Sequence, residues 1–199
     1  MASSRRLGVK SSKTRDRLIE AADQLLTEEG YHAISARRVS ERAGLKPQLV
    51  HYYFQNMDEL IVAVFQRACD QDLEQHERAL ADGEPLKALW RLHANRSDTK
   101  RMMEFIAIGS HRETLRAEIA LAAERFRNLQ AATVAKILAE RGIDEATFPA
   151  GAMVLLMAAI SRALVMETTL GVNVAHADLR ALFETFLDYL EPSKAKPAE

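Results

Sequence analysis

Residues 34–54 read ISARRVSERAGLKPQLVHYYF, and this stretch determines the fold that we predict for the first part of the chain. Ser35 can cap a short helix, because its hydroxyl can accept a hydrogen bond from a free backbone N–H of the first turn. Gly44 is expected to end that helix, and Pro47 fits the first position of the next helix, where an N–H has no intrahelical partner. Two short helices joined by a tight turn that contains glycine are typical of a helix-turn-helix.

One helix on each side flanks the two short helices. Upstream, apolar residues recur every three or four positions from about Thr14 to Glu29, and Gly30 follows as a stop. Downstream, Asn56 can cap a further helix that runs to about Ala81 and places acidic residues in its favourable first turn. The sequence therefore predicts that the two short helices are braced on both sides.

The second short helix combines a small apolar face with polar and aromatic groups. Val50 and Phe54 are expected to face inward. The remaining positions are Pro47, Gln48, Leu49, His51, Tyr52 and Tyr53. The major groove of a duplex admits one helix, in which Gln48 could pair with adenine and Leu49 could pack on a thymine methyl group. Tyrosine and histidine can donate to phosphates, Arg37 could reach a guanine or a phosphate, and Lys46 adds charge at the helix entrance.

Composition agrees with a helical, nucleic-acid-binding chain. Of the 199 residues 48% are hydrophobic, and glycine and proline are sparse. The net charge of −1 divides into +4 for residues 1–56 and −5 for the remainder, which suits a front that meets phosphate. Cys69 is the single cysteine, and residues 1–10 are basic without a signal-peptide pattern, so a cytoplasmic location is expected. The most apolar run, 151–160, is about half of what a bilayer requires.

After the first helices the chain continues helix after helix, and no alternating strand pattern of useful length occurs. The predicted helices are 85–94, 99–111, 115–141, 149–170 and 177–190. No sequence pattern of a zinc protease, serine hydrolase, phosphate-binding loop or dinucleotide site is present. We therefore predict an all-α protein that is not an enzyme and has no catalytic residues, no metal site and no cofactor.

Residues 14–60 resemble the DNA-binding domain of the TetR family of bacterial repressors. The matching pieces are Ala21-Ala22, Leu25-Leu26, Glu29-Gly30-Tyr31, Ile34-Ser35-Ala36-Arg37, Val39-Ser40, Ala43-Gly44-Leu45, Val50-His51-Tyr52-Tyr53-Phe54 and Asp58-Glu59-Leu60. The resemblance implies a three-helix helix-turn-helix head and a larger helical body for ligand binding and dimerisation. With it we expect a disordered basic tail at 1–12, a DNA-binding domain at 13–56, a body at 57–191 and a disordered tail at 192–199.

Candidate site residues follow from the resemblance together with the residue pattern. The DNA-facing candidates are Ser35, Arg37, Lys46, Pro47, Gln48, Leu49, His51, Tyr52 and Tyr53. The ligand-binding candidates are Trp90, Met102, Phe105, Phe126, Met153 and Met157. The dimer-interface candidates, on the last two long helices, are Ala158, Ala159, Leu182, Phe183 and Phe186. The family usually has Tyr at position 51, Lys at 57 and Ser or another capping residue at 46, where this chain has His51, Met57 and Lys46.

The expected function is that of a homodimeric regulator that binds double-stranded operator DNA and is released by a small lipophilic effector, without a membrane partner. One alternative is a helical binding or carrier protein for an apolar molecule, with a purely structural head. The other is a DNA-binding protein that responds to no effector. Activation in place of repression depends on operator position, and the sequence does not decide it.

Overall fold

The computed structural model describes residues 13–192, and the regular structure of this part of the chain is helical throughout. A 3-10 turn, Tyr31–Ala33, separates the first two helices. The helices are α1 (Lys13–Glu29), α2 (Ala36–Ala43), α3 (Gln48–Tyr53), α4 (Met57–Leu80), α5 (Pro85–His93), α6 (Arg96–Gly109), α7 (Glu113–Glu140), α8 (Ala150–Thr169) and α9 (His176–Leu190). The all-α prediction is confirmed. The predicted tails 1–12 and 192–199 lie outside the described residues, apart from Pro192.

Local signals in the sequence produce the helix ends that they predict. The Ser35 hydroxyl accepts a hydrogen bond from the Arg38 N–H at 3.3 Å, so Ser35 caps α2. Gly44 ends α2 with a φ of 64°, a left-handed conformation that favours glycine. Asn56 caps α4 by accepting a bond from the Glu59 N–H at 2.8 Å. These predictions are confirmed, and each depends only on residues a few positions apart.

Several predicted helix starts differ from the observed ones by one to three positions. Pro47 has helical dihedral angles but lies immediately before α3, which begins at Gln48. Helix α6 begins at Arg96 and not at Thr99. The reason is Asn95, whose side-chain oxygen accepts a bond from the Ser97 N–H at 3.1 Å and so supports an earlier first turn.

The chain divides into two compact units. The first contains residues up to Asp70 together with 101–121, and the second contains 71–100 together with the residues from 122 onward. Helices α4, α6 and α7 therefore each contribute residues to both units. The DNA-binding domain predicted at 13–56 is one part of the first unit, and its boundary stays a prediction.

The core of the first unit joins α1 and the two short helices to α4 and α6. Its fully buried side chains include Leu18, Leu25, Leu26, Phe54, Leu60, Ile61, Phe65 and Phe105. The rings of Phe65 on α4 and Phe105 on α6 meet edge to face at a centroid distance of 5.1 Å. An apolar face of α4 is thus buried, and α6 covers part of it.

The second unit has its own core, built from α5, α7, α8 and α9. Its central side chains include Leu86, Leu89, Trp90, Val134, Leu138, Met153, Met157, Leu164, Phe183, Leu187 and Leu190. The Trp90 ring packs on Phe183 at a centroid distance of 4.6 Å. This contact joins α5 to α9.

Helix α8 is apolar over its whole length. It has 20 residues with a mean hydropathy of 1.7, and by length and composition alone it is long enough to cross a membrane, which the shorter run at 151–160 did not indicate. One side of it, including Met153 and Met157, lies in the core of the second unit, and Arg162 interrupts it. This arrangement is that of a central helix of a folded unit.

Candidate nucleic-acid interface

Ion pairs hold α2 against α1. Arg38 donates to both carboxylate oxygens of Glu29 at 2.7 Å, and Arg42 donates to Glu28 at 2.7 Å. The hydrogen bond from Arg38 is the largest influence on Glu29 and holds the pKa of that carboxyl below its ordinary value. A single ion pair at the surface contributes little to stability. Here two arginines one helical turn apart pair with two neighbouring glutamates, and together they fix the orientation of α2.

Arg37 points away from this contact with α1. Its side chain is 82% exposed, and within residues 13–192 its ion-pair partner is Glu41, one helical turn further along α2, at 2.9 Å. The hydrogen bond with Glu41 raises the pKa of Arg37, which remains charged. Of the three arginines on α2, Arg37 is therefore the one whose guanidinium stands at the solvent side, where a phosphate or base could reach it.

Helix α3 is anchored on one side only. Val50 and Phe54 are each 1% exposed, so the predicted inward pair is confirmed. The Arg15 guanidinium lies over the Phe54 ring at 5.1 Å and fixes the end of α3 to α1. The Arg17 guanidinium donates to the Ala43 carbonyl at 2.6 Å, which ties the turn before α3 to α1 as well.

The opposite side of α3 presents polar and aromatic groups to solvent. Gln48 and His51 are exposed, Tyr52 is 65% exposed, and Leu49 and Tyr53 are half-buried. The two tyrosine rings meet edge to face at 5.0 Å, which limits their rotation. A helix of this length with one buried side and one polar side is a suitable reader of base edges, since its own fold does not use these groups.

All nine DNA-facing candidates lie on the start of α2, on α3 or on the turn between the helices. Lys46 and Pro47 are exposed in that turn, and Lys46 forms no ion pair with any other described residue. Ser35 is exposed, and its hydroxyl oxygen caps α2, which leaves its proton available as a donor. The arrangement agrees with the expected interface, whose individual DNA contacts stay predictions.

The sequence did not indicate a set of contacts that tie α6 and its following turn to the DNA-binding helices. Arg112 donates to the Asp58 carboxylate and to the Tyr31 hydroxyl. The Tyr31 N–H donates to the Glu104 carboxylate at 3.4 Å, and Arg101 pairs with Asp23 at 3.5 Å. These partners are 54 to 81 residues apart in the chain, so no local pattern marks them.

A cleft of about 340 Å³ adjoins the Arg112–Asp58 contact. The residues that line it are Asp58, Ile61, His111, Arg112, Glu113, Thr114 and Leu115. Two of its charged groups are matched to each other, because Arg112 pairs with Asp58. The cleft therefore belongs to the contact between α4 and the α6–α7 turn, within the first unit.

The six ligand-binding candidates are divided between the two units. Met102 and Phe105 lie in the first unit, whereas Trp90, Phe126, Met153 and Met157 lie in the second. Trp90, Met153 and Met157 are core residues, with exposed fractions of 4%, 6% and 0%. Phe126 is half-buried and packs on the His76 ring at 5.0 Å. Their role in ligand binding stays a prediction.

A buried polar cluster lies within the second unit, around His93. His93 Nε2 lies 3.1 Å from the side-chain oxygen of Gln130, which is 2% exposed. The hydroxyls of Thr99 and Ser161 both donate to the His93 carbonyl. Burial is the main cause that lowers the pKa of His93 to about 4, and the positive charge of His76 and Arg162 acts in the same direction. The imidazole is therefore neutral at pH 7. Its partners come from three different helices, which no sequence spacing indicated.

The predicted dimer interface coincides with an exposed apolar surface on α8 and α9. Its exposed members include Leu155, Leu156, Met166, Leu170, Leu182 and Tyr189, with exposed fractions between 44% and 77%. Ala159 is exposed, and Ala158 and Phe186 are half-buried. Phe183 is only 6% exposed because it packs on Trp90, so it can add little area to an interface. The interface itself stays a prediction.

These features define an all-helical DNA-binding protein of the helix-turn-helix class. Residues 18–64 match the family model of the bacterial regulatory proteins of the tetR family. The helix-turn-helix part of this chain is thus a DNA-binding domain of the tetR family of regulatory proteins, as its sequence predicted.

Comparisons with individual proteins agree with this assignment. The fatty acid metabolism regulator protein of Bacillus subtilis (strain 168) is 25% identical over 65 residues, which cover 33% of this chain and 34% of that protein. The match thus spans about a third of the relative's length. A protein from Saccharomonospora viridis described as a transcriptional regulator, in complex with choline, is 18% identical, covers 89% of this chain and 97% of its own, and has a TM-score of 0.77. FadR from Bacillus subtilis in complex with stearoyl-CoA is 19% identical, with coverages of 89% and 98% and a TM-score of 0.61. The two structures show a shared fold.

Proposed function

We propose that this chain is a homodimeric, cytoplasmic repressor that binds operator DNA through α2 and α3 and releases it when a small lipophilic ligand binds in its helical body. The observation that carries the proposal is that some residues of α2 and α3 hold the fold together while others face solvent. Arg38, Arg42, Val50 and Phe54 are used for packing and for ion pairs between helices, whereas, within the described residues, Arg37 pairs only with Glu41 on its own helix and the polar groups of α3 face solvent. A purely structural head would have no use for such an exposed polar surface.

The residues of this surface have two kinds of task in the proposal, base reading and phosphate contact. Gln48 and Leu49, near the start of α3, read base edges in the major groove, where a glutamine recognises adenine with two hydrogen bonds. Arg37, Lys46 and Tyr52 lie around them and contact phosphates, which set the position of α3 on the duplex. His51 takes the place of the family's usual tyrosine and donates a single hydrogen bond to a phosphate.

Dimerisation supplies the length of DNA that a single head cannot read. One α3 covers only a few base pairs, so a two-fold dimer on a near-palindrome is expected, with its half-sites about 34–36 Å apart. The exposed apolar side chains of α8 and α9 support this assembly, because groups of exposed leucines and methionines are typical of a protein–protein interface.

Ligand control requires a connection between the body and the head. Helix α4 begins two residues after Gln55 and contributes 57–70 to the first unit and 71–80 to the second, so it is continuous between them. The contacts of Arg112 with Asp58 and Tyr31 fasten the α6–α7 turn to the same head. A ligand that favours one arrangement of these helices would change the spacing of the paired heads, provided it binds that arrangement roughly 5 kcal/mol better.

The test is selection of genomic fragments by the purified full chain, followed by footprinting on the fragments retained. We expect footprinting to show a protected near-palindrome. The complex should dissociate when a lipophilic ligand is added that belongs to the pathway encoded by the genes next to that site. Uniform retention of all fragments would support a DNA-binding protein without specificity, and no retention would support the carrier alternative. A specific complex that no ligand dissociates would identify a regulator without an effector.

A further inference from the structure

The turn between α6 and α7 reaches two segments of the DNA-binding head at once. The Arg112 guanidinium donates to the Asp58 carboxylate, in the first turn of α4, and to the Tyr31 hydroxyl, in the 3-10 turn before α2. It also lies over the Tyr31 ring, 5.4 Å from the ring centroid. One side chain therefore joins the segment that leads into α2 to the start of α4.

The backbone that carries Arg112 is held firmly. The Arg112 N–H donates to the Gly109 carbonyl at 3.3 Å, and the Arg112 carbonyl accepts a bond from the Arg116 N–H at 2.9 Å. A Cβ atom added at Gly109 would lie 3.6 Å from Cα of Arg116 and 2.8 Å from the end of the Ile119 side chain. The end of α6 and the first turn of α7 are thus in close contact, and Arg112 reaches the head from a rigid support.

The segment that Arg112 holds leads directly to the DNA-facing residues. The Tyr31 N–H is held as well, because it donates to the Glu104 carboxylate at 3.4 Å. Ser35, which caps α2, lies four positions after Tyr31, and Arg37 lies six positions after it. Since only the short turn Tyr31–Ala33 and Ile34 separate the contact from that cap, a displacement of Tyr31 would displace the start of α2.

The ion pairs of α2 act in a different direction. Arg38 and Arg42 orient α2 relative to α1, whereas Arg112 relates the start of α2 to α4 and to the α6–α7 turn. Base reading needs both restraints, because a hydrogen bond to a base edge forms only at about 2.7–3.2 Å and close to linear. A guanidinium that serves two acceptors at once fixes both in distance and direction.

We propose that Arg112 is a positioning residue for DNA binding: through Tyr31 and Asp58 it sets where α2 and α3 lie on the duplex, without touching DNA itself. The inference rests on the proposed function, because it concerns the affinity of the same surface for operator DNA. A side chain in this role acts on base reading more than on phosphate attraction, since charges attract over a longer range than a hydrogen bond spans.

The experiment measures binding of the purified full chain to a fluorescent duplex with the footprinted site and to a random duplex of the same length. Tyr31→Phe keeps the ring and removes only the hydroxyl, and Arg112→Met keeps the length of the side chain and removes its charge. We expect Arg112→Met to bind the specific duplex about tenfold more weakly and Tyr31→Phe about threefold more weakly, with smaller losses on the random duplex.

Three comparisons distinguish a positioning role from a DNA contact. The slope of log affinity against log salt concentration should stay that of the parent, whereas loss of a direct phosphate contact would reduce it by about one unit. Arg112→Lys can still donate to one of the two acceptors and should recover part of the affinity. In the double variant, Tyr31→Phe should cost less than it costs alone, because Arg112→Met has already removed its partner.

Arg116→Met is the matched control. It removes an exposed arginine of the first turn of α7, four positions after Arg112, and should change neither affinity. Melts followed by circular dichroism show whether each variant is folded at the assay temperature. Tyr31→Phe, which removes a single oxygen, decides the question if Arg112→Met is not folded there.

The outcomes separate this inference from the proposed function. A parent that binds the specific and the random duplex equally well contradicts the proposed function, and the inference with it. If the parent prefers its site and the folded Tyr31→Phe and Arg112→Met variants keep its affinity, the Arg112 contact serves only the stability of the fold and the inference is wrong. A reduced salt slope, strictly additive losses, or an equal loss for Arg116→Met would overturn it as well.

Discussion

The DNA-binding surface and the interior of the second unit differ in how far along the chain their contacts reach. In the head, Ser35 accepts a capping hydrogen bond from the Arg38 N–H and Asn56 accepts one from the Glu59 N–H, each across three positions. In the second unit, His93 meets Gln130 across 37 positions, and Thr99 meets Ser161 across 62. Short contacts act on a few neighbouring dihedral angles, whereas long ones require the whole unit to be assembled. Changes in the head should therefore have confined effects, and changes in the body should have wide ones.

The largest effect is expected for a charge in the apolar surface of α8 and α9. Leu182 is 68% exposed within one chain, so Leu182→Glu should leave the protomer folded. In a dimer interface it would bury an unpaired carboxylate on each side, at roughly 3–5 kcal/mol for each buried charge. We expect a monomer by light scattering, with unchanged helical content by circular dichroism, and an operator affinity lower by about two orders of magnitude.

Glu184→Lys is the matched control, because it changes a charge on α9 on the side away from Leu182. It should remain a dimer. A Leu182→Glu protein that is still a dimer would show that the interface lies elsewhere and that the exposed leucines have another role.

The next effect concerns the pH dependence of stability. The pKa of His93 is lowered from 6.5 to about 4, mainly by burial, so the folded state stays unprotonated where the unfolded chain takes up a proton. The contribution is complete above pH 6.5 and is lost as the pH falls towards 4, for a total of roughly 3 kcal/mol. His76 and Arg162 face His93 and oppose its protonation.

Urea unfolding of the parent and of His93→Gln between pH 7 and pH 4 measures this loss, since the variant cannot take up that proton. Carboxylates contribute in both proteins, so the quantity of interest is the difference between them. His111→Gln, at an exposed position, should follow the parent. Parallel curves for the parent and His93→Gln would mean that His93 is solvated and titrates normally.

The same contrast explains what the sequence predicted. The helix-turn-helix, its caps and the inward Val50 and Phe54 followed from periodicity and capping over a few residues, and the structure agrees. The buried cluster around His93 could not be predicted, because Thr99, Gln130 and Ser161 lie on three helices and look like isolated polar residues in apolar stretches. The expectation that 57–191 forms the body came from chain order and stays a prediction. The division of α4, α6 and α7 between two units depends on contacts between distant residues, which chain order does not indicate.

Two substitutions in the head test the roles proposed within it. Gln48→Ala should cost roughly 1–3 kcal/mol on the specific site and relax the preference at one base pair, because Gln48 is exposed and free to bond a base. Lys46→Ala should weaken binding to every sequence and reduce the salt dependence by about one unit of slope. Fluorescence titrations on specific and random duplexes at several salt concentrations distinguish the two. An equal loss on both duplexes for Gln48→Ala would remove its role as a base reader.

The smallest effect is expected at the cap of α2, where stability and DNA binding can be separated at one atom. Ser35→Ala removes the acceptor of the Arg38 N–H and should lower the free energy of unfolding by about 1 kcal/mol. Ser35→Asp restores a capping oxygen and should recover that stability, yet its negative charge should weaken DNA binding if position 35 faces phosphate. Ser97→Ala, at an exposed position in the first turn of α6, is the matched control and should change neither quantity. Urea unfolding of the three variants gives the free energy of unfolding, and duplex titration gives the affinity for DNA. If Ser35→Asp binds DNA as well as the parent does, Ser35 acts only as a cap, and the contact surface on α2 reduces to Arg37.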